Sequence, residues 1–207
     1  VKAHAGNLDY DKFKMIRAND GSWSVQGLDD LTGKHYMYNI TQFDRHGELF
    51  SKEILDPYAL ASFSRNGPGI ALERKTFLKN KPFIPPAIED AVVVEAHLRD
   101  LLADAPSDIS KAERLEFIGL KKWLGDDNCY LRKLGANVVE LQPVQEFDAK
   151  QKDEYHWGYM PVNFFSPASV YASKADDGRV VHEFAQLVDA FHEAGLAVVV
   201  DVVYNHI

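Results

Sequence analysis

The run Leu196-Ala197-Val198-Val199-Val200-Asp201-Val202-Val203-Tyr204-Asn205-His206 decides the fold. It is apolar and mostly β-branched up to Val203, interrupted by one aspartate, and it closes in polar side chains. Two shorter runs of the same character precede it, Ala91 to Ala96 and Val138 to Leu141. Runs of this kind suit strands buried on both faces, as in a parallel sheet. Helical periodicity fills the intervals, from Ser110 to about Leu134 and from about Val180 to Ala194, where Phe184, Leu187, Val188 and Phe191 share one face. Gly135 and Gly195 follow these segments, at the position where glycine takes the left-handed conformation without a Cβ clash. The order is therefore β-α-β-α-β. This alternation predicts an α/β fold with a parallel sheet and right-handed crossovers, either open and doubly wound or part of a barrel.

Upstream, the character differs. Between Val1 and Tyr58, apolar residues come in short runs separated by turn chemistry at Asn19-Asp20-Gly21, Gly27, Thr32-Gly33 and His46-Gly47. Phe13, Met15, Trp23, Val25, Tyr36, Tyr38 and Ile40 alternate with period two, the pattern of antiparallel strands with one face buried. A stretch rich in structure breakers follows, including Asn66-Gly67-Pro68-Gly69, Pro82 and Pro85-Pro86. The reading divides the chain into an all-β part over 1–58, a linker over 59–88 and an α/β part over 89–207.

Composition is that of a globular protein: 207 residues, 46% apolar, 26% charged. No apolar run approaches the roughly 20 residues that a membrane-crossing helix needs. The formal charge of -8 is spread along the chain without a Lys/Arg stripe, so neither a membrane nor nucleic acid is an expected partner. A neutral ligand such as a sugar needs no electrostatic steering and fits this balance. Cys129 is the single cysteine, which excludes an internal disulfide framework and leaves the compartment open between cytosol and exterior.

Two clusters carry chemistry. Asp201, Asn205 and His206 lie at the carboxyl end of the last apolar run, where active sites sit in both α/β architectures. Together they offer a carboxylate, an amide and an imidazole to ligand hydroxyls. On spacing alone they equally suit a loop cap and a satisfied strand-end histidine. The second cluster is His156-Trp157-Gly158-Tyr159-Met160-Pro161-Val162-Asn163, in a long loop whose aromatic content argues for order. Its rings suit either stacking on pyranose faces or plugging the top of the core. Gly158 would let the backbone pass close to a ligand or to another strand.

Taken in order, these motifs resemble the alpha-amylase superfamily of glycoside hydrolases, and within it the pullulanases, isoamylases and glycogen-debranching enzymes. Asp201-Val202-Val203-Tyr204-Asn205-His206 is similar to the superfamily's first conserved region, after its third barrel strand. Trp157 to Phe165 with Tyr171-Ala172-Ser173 resembles the segment after the second strand, and Val92 to Asp100 the first strand. Tyr36-Met37-Tyr38 and Asp56-Pro57-Tyr58-Ala59 look like the end of the carbohydrate-binding-type sandwich that precedes the barrel. Met160 departs from the pattern, standing where debranching relatives often carry an acidic or amide residue.

The resemblance implies the first three β/α units of a (β/α)8 TIM barrel preceded by the C-terminal part of an all-β sandwich, both ends lying inside a longer chain. It implies hydrolysis of α-glucans with retention, most directly at α-1,6 branch linkages of glycogen, starch or pullulan. One carboxylate attacks the anomeric carbon and a second acid protonates the leaving oxygen. Both are expected beyond Ile207, so Asp201, Glu140 and Glu95 read as supporting groups. By the same analogy Tyr159 stacks on the glucosyl unit before the scissile bond, His206 bonds its 6-hydroxyl, Asp201 supports the site, and Trp157 joins the substrate-binding set. No organic cofactor is implied; Asn205 matches a position that ligates structural calcium in many alpha-amylases. A branching or α-1,4-acting enzyme of the superfamily shares this architecture, and a non-catalytic glucan-binding module would share its surface.

Overall fold

In the computed structural model, which describes residues 11–26, 29–73 and 80–205, the chain opens with short antiparallel ribbons. β1 (Ile16–Arg17) pairs with β2 (Trp23–Ser24). Then come β3 (His35–Tyr36), β4 (Tyr38–Phe43), β5 (Leu49–Ile54) and β6 (Gly69–Ile70), with β4 paired to β5 and β3 to β6. The β4–β5 turn is set by Asp44, whose Oδ1 accepts from the amides of His46 at 2.8 Å and Glu48 at 2.9 Å. Antiparallel strands are thus present, but the expected face is not buried throughout: Phe13, Trp23, Val25 and Ile40 stay exposed, while Tyr36 and Tyr38 are half-buried. A two-stranded ribbon buries a face only under a second layer, and among the described residues none covers it. Gly27, which the turn reading singled out, lies outside the described residues.

The 59–88 stretch is only partly a linker. Ala59, Ala61, Ser62 and Ile70 are buried, and the Ser62 amide donates to Ser166 Oγ at 3.1 Å. Small side chains at 59, 61 and 62 let this backbone lie close against the α/β part, so breaker-rich composition here marks turns and not free chain. Past the undescribed residues, 80–87 runs without regular structure over a helix surface, where Asn80 Nδ2 donates to Asp189 Oδ1 at 3.0 Å and the rings of Phe83 and His192 stack at 4.1 Å.

The α/β part contains β7 (Val93–Ala96), α1 (Asp100–Ala103), α2 (Phe117–Leu124), β8 (Val138–Leu141), β9 (Gln145–Phe147), β10 (Pro161–Pro167), α3 (Arg179–Glu193) and β11 (Ala197–Val200). β7, β8 and β11 form the expected parallel sheet, with β8 central. Val94, Val139 and Val198, then Ala96, Leu141 and Val200, pack toward Phe117, Leu120 and Trp123 of α2 and Val180, Leu187 and Phe191 of α3. Gly135 and Gly195 have φ of +77° and +79°, as the helix-to-strand reading predicts.

Three expectations are corrected. The helix from 110 to 134 is broken, because Asp126 Oδ1 takes the Asn128 amide at 2.7 Å and offers the backbone a turn instead; only 117–124 is α-helical. The last strand ends at Val200, not Val203: the Asp201 amide still reaches Leu141 O at 2.9 Å, but the neighbouring strand then turns at Gln142-Pro143 and gives no further partner. Only β8 is buried on both faces; Val93 and Val199 on its flanks are exposed because the helices cover one side of the sheet alone.

β9 and β10 form an antiparallel ribbon with register shifts, and Glu146 in β9 fastens the 59–72 segment to it. Its carboxylate accepts from Ser62 Oγ at 3.0 Å, Ser169 N at 2.6 Å and Ser169 Oγ at 2.9 Å. Burial outweighs these three bonds and pushes the carboxyl up to about 7. The fold therefore binds a proton between the ordinary glutamate range near 4.5 and about 7 that the unfolded chain releases. Stability falls as pH rises through that window, by on the order of 3 kcal/mol. Denaturant unfolding of wild type and Glu146→Gln from pH 4 to 8 checks this: the difference between the two curves should carry the slope, and a constant difference would remove the assignment.

Candidate functional site

β8 ends in a long excursion through β9 and β10 that crosses above the carboxyl edge of the parallel sheet. Arg99, one residue before α1 and 6% exposed, holds its start. The guanidinium donates to the carbonyls of Glu154 at 2.7 Å, Lys152 at 2.5 Å, Val170 at 3.3 Å and Leu115 at 3.4 Å, and lies 4.9 Å above the Tyr171 ring. Lys152 ties back, donating to Glu116 Oε1 at 2.6 Å and Ala172 O at 2.8 Å. The loop is ordered by charge-assisted bonds to its backbone, which composition alone does not predict.

Further along, the His156 ring stacks on Phe147 at 4.7 Å and its Nδ1 accepts the Gly158 amide at 3.0 Å. Gly158 has φ +90°, and a Cβ there would lie 2.4 Å from the Pro143 carbonyl oxygen. The close approach foreseen for this glycine is thus to the chain leaving β8. Between these fixed neighbours Trp157 projects outward, 66% exposed. Its ring is available to a ligand and does not plug the core.

Tyr159 turns the other way. Its hydroxyl donates to Asp201 Oδ2 at 2.6 Å, which brings two of the sequence-predicted residues together across the loop and the end of β11. That bond, then partial burial and the charges of Asp201, Glu95 and Glu140, pushes the phenol up to about 12, so it remains a donor at neutral pH. Glu95 and Glu140 are register partners on the sheet face opposite the helices, and Gln142 Nε2 donates to Glu95 Oε1 at 3.2 Å. The site thus combines an exposed indole, a phenol and three carboxylates, an acceptor-rich surface with an apolar plate beside it. Hydroxyl-rich neutral ligands match both halves.

Asn205 is exposed, and no group of three or more His, Cys, Asp or Glu side chains able to hold a metal ion occurs among the described residues. A lone amide does not fit calcium, which takes six to eight oxygens. His206 lies outside the described residues. His97, Arg99 and Glu146 were not singled out from the sequence, although His97 and Arg99 fall within the quoted Val92–Asp100 run.

No family model matches the chain. It is 33% identical to a pullulanase of Bacillus subtilis (strain 168) over all of its own length and 30% of the relative's. It is 35% identical to chloroplastic isoamylase 3 of Oryza sativa subsp. japonica, over 88% of its length and 26% of the relative's. The crystal structure of an Anoxybacillus sp. LM18-11 pullulanase complexed with maltotriose superposes with a TM-score of 0.77 at 26% identity, over 93% of this chain and 29% of that one. The chain spans under a third of the length of these relatives. Sequence and backbone alike relate it to the debranching enzymes of the alpha-amylase superfamily, and its fold is an α/β glycoside hydrolase fold.

The loop geometry makes a direct prediction. Gly158→Ala drives a Cβ against the Pro143 carbonyl at a positive φ and should cost at least roughly 2 kcal/mol of stability. Exposed Trp157→Ala should stay within about 0.5 kcal/mol of wild type. Chemical denaturation of both variants tests the contrast, and equal midpoints would refute the close packing behind Gly158.

Proposed function

We propose that the protein containing this chain is a retaining glycoside hydrolase that cleaves α-1,6 branch linkages of glycogen, starch or pullulan, and that this chain supplies sugar contacts. The observation that carries the reading is the Tyr159–Asp201 hydrogen bond at the carboxyl end of parallel strands, with the exposed Trp157 on the same loop. Relatedness to pullulanases and isoamylases supports hydrolytic debranching as the reaction class. In this reading residues 89–207 form the first three β/α units of a (β/α)8 barrel, and the ribbons within 1–58 are part of a preceding sandwich.

Tyr159 offers its ring to the glucosyl unit next to the scissile bond while Asp201 fixes the phenol through the hydroxyl. Trp157 extends the platform by one sugar, Asn205 adds an exposed amide beyond β11, and the motif resemblance gives His206 the role of bonding a sugar hydroxyl. A donor-poor, carboxylate-rich rim accepts from sugar hydroxyls and gives a neutral polymer no charge to repel. No residue of 1–207 is assigned as nucleophile or general acid; in this reading Asp201, bonded by Tyr159, and Glu95, bonded by Gln142, are supporting groups.

Expression of the complete open reading frame that encodes this chain, with assays on pullulan and amylose, tests the proposal. New reducing ends from pullulan and not from amylose are expected. Trp157→Ala should raise KM for pullulan about tenfold, the effect of losing one stacking contact of about 1.4 kcal/mol. Release from amylose alone would transfer the assignment to α-1,4 cleavage, and glucan binding without turnover would make this a binding module.

A further inference from the structure

We propose that His97 is a positioning residue that fixes the direction of Trp157 through the backbone of His156, an inference resting on the reading of that segment as a glucan platform. His97 follows the end of β7, is 3% exposed, and places Nε2 3.1 Å from the His156 carbonyl oxygen and 3.1 Å from the Tyr171 hydroxyl. A carbonyl only accepts, so the bond to His156 requires the hydrogen on Nε2, with the Tyr171 hydroxyl accepting from the same hydrogen. Among the described residues Nδ1 has no hydrogen-bond partner; Asp100 Oδ1 stands 3.6 Å away, and the other oxygen of that carboxylate takes the Tyr155 hydroxyl at 2.9 Å. The only bonded nitrogen of this buried ring is therefore the one that faces the aromatic loop.

The consequence lies one residue further along. The His156 carbonyl is held by His97, and its ring by Phe147. The next amide but one, Gly158, is held by His156 Nδ1, with its Cα against the Pro143 carbonyl. Trp157 sits between two fixed peptide units although its own side chain is largely free. An indole exposed in this way would ordinarily sample several backbone orientations. Here the orientation is set before a ligand arrives, which lowers the entropy lost on binding. His97 thus acts on the ligand without touching it.

Glutamine and asparagine separate the two ring nitrogens: His97→Gln places a donor where Nε2 stands, whereas His97→Asn places it near Nδ1 and leaves the His156 carbonyl unpaired. The complete protein labelled with fluorotryptophan resolves Trp157 by fluorine NMR, its line assigned from Trp157→Phe. His97→Asn should shift or broaden that line and weaken maltotetraose binding by about tenfold, the scale of one lost hydrogen bond's ordering. His97→Gln should retain both. Variants that lower the melting temperature yet leave the Trp157 line and the affinity unchanged would overturn the proposal. If wild type binds no maltotetraose while the line still responds to Asn and not Gln, positioning by His97 stands and the glucan reading falls. Nitrogen NMR of histidine-labelled wild type needs no variant to fold: a hydrogen on Nε2 is expected, and one on Nδ1 alone rejects the mechanism.

Discussion

A guanidinium buried against backbone carbonyls is the constraint on which the candidate site depends. Arg99 cannot lose its proton at accessible pH, so enclosing it requires oxygen partners in the directions of its fixed fork. Four carbonyls supply them, at residues 115, 152, 154 and 170. These belong to the approach to α2, the start of the aromatic loop and the turn that follows β10. One side chain therefore determines where three segments meet above the sheet, and the loop inherits its shape from β7. The arrangement is mutually dependent. Without the guanidinium those carbonyls would each lose a partner in a place water enters poorly, at about 1–3 kcal/mol apiece.

Glu146 solves the opposite problem in the same layer. Its neighbours are two hydroxyls and one amide, with no cation bonded to it among the described residues, and a carboxyl has a way out that a guanidinium lacks: it takes up a proton. Arg99 thus remains a permanent fixture, while Glu146 is a proton-dependent one. The second of these fastens residues 59–72 to the ribbon beneath the loop. The attachment of the N-terminal ribbons to the α/β part is for this reason the more pH-sensitive of the two junctions.

How much was legible in the sequence follows from which interactions are local. The parallel order of the three apolar runs and the left-handed turns at Gly135 and Gly195 depend on residue type and short spacing, and both were readable. The break at Asp126 competes with a strong helical pattern through one side-chain bond, so periodicity overruled it. Strand length at Val200 depends on where the neighbouring strand turns, which no feature of 196–203 encodes. Trp157, Tyr159 and Asp201 are singled out by motif, and the structure joins the last two by a hydrogen bond. His97 carried a signal that went unused: continuing the alternation of β7 places it on the same side as Glu95, at the sheet's carboxyl edge. Glu146 carried none, since a glutamate in a short polar run looks solvent-facing until Ser62 is folded onto it.

The two faces of the three-stranded sheet divide stability from chemistry. Toward the helices, every position along the register is aliphatic. Away from them, Glu95 and Glu140 are partners, and Asp201 extends the same side beyond β11. Three carboxylates gathered this way repel one another, and the chain offsets the repulsion with neutral donors, Gln142 to Glu95 and Tyr159 to Asp201, in place of cations. That choice shapes what can bind. A lysine or arginine would have neutralised the surface and competed for its acceptors. Amide and phenol donors leave spare lone pairs on each carboxylate, open to hydroxyl groups and hostile to phosphates and other anions. The aromatic loop adds an apolar plate, held by His97 and Arg99, at the margin of this acceptor field. A ligand that presents C–H faces and many hydroxyls at once satisfies both surfaces, which is the chemistry of a pyranose chain.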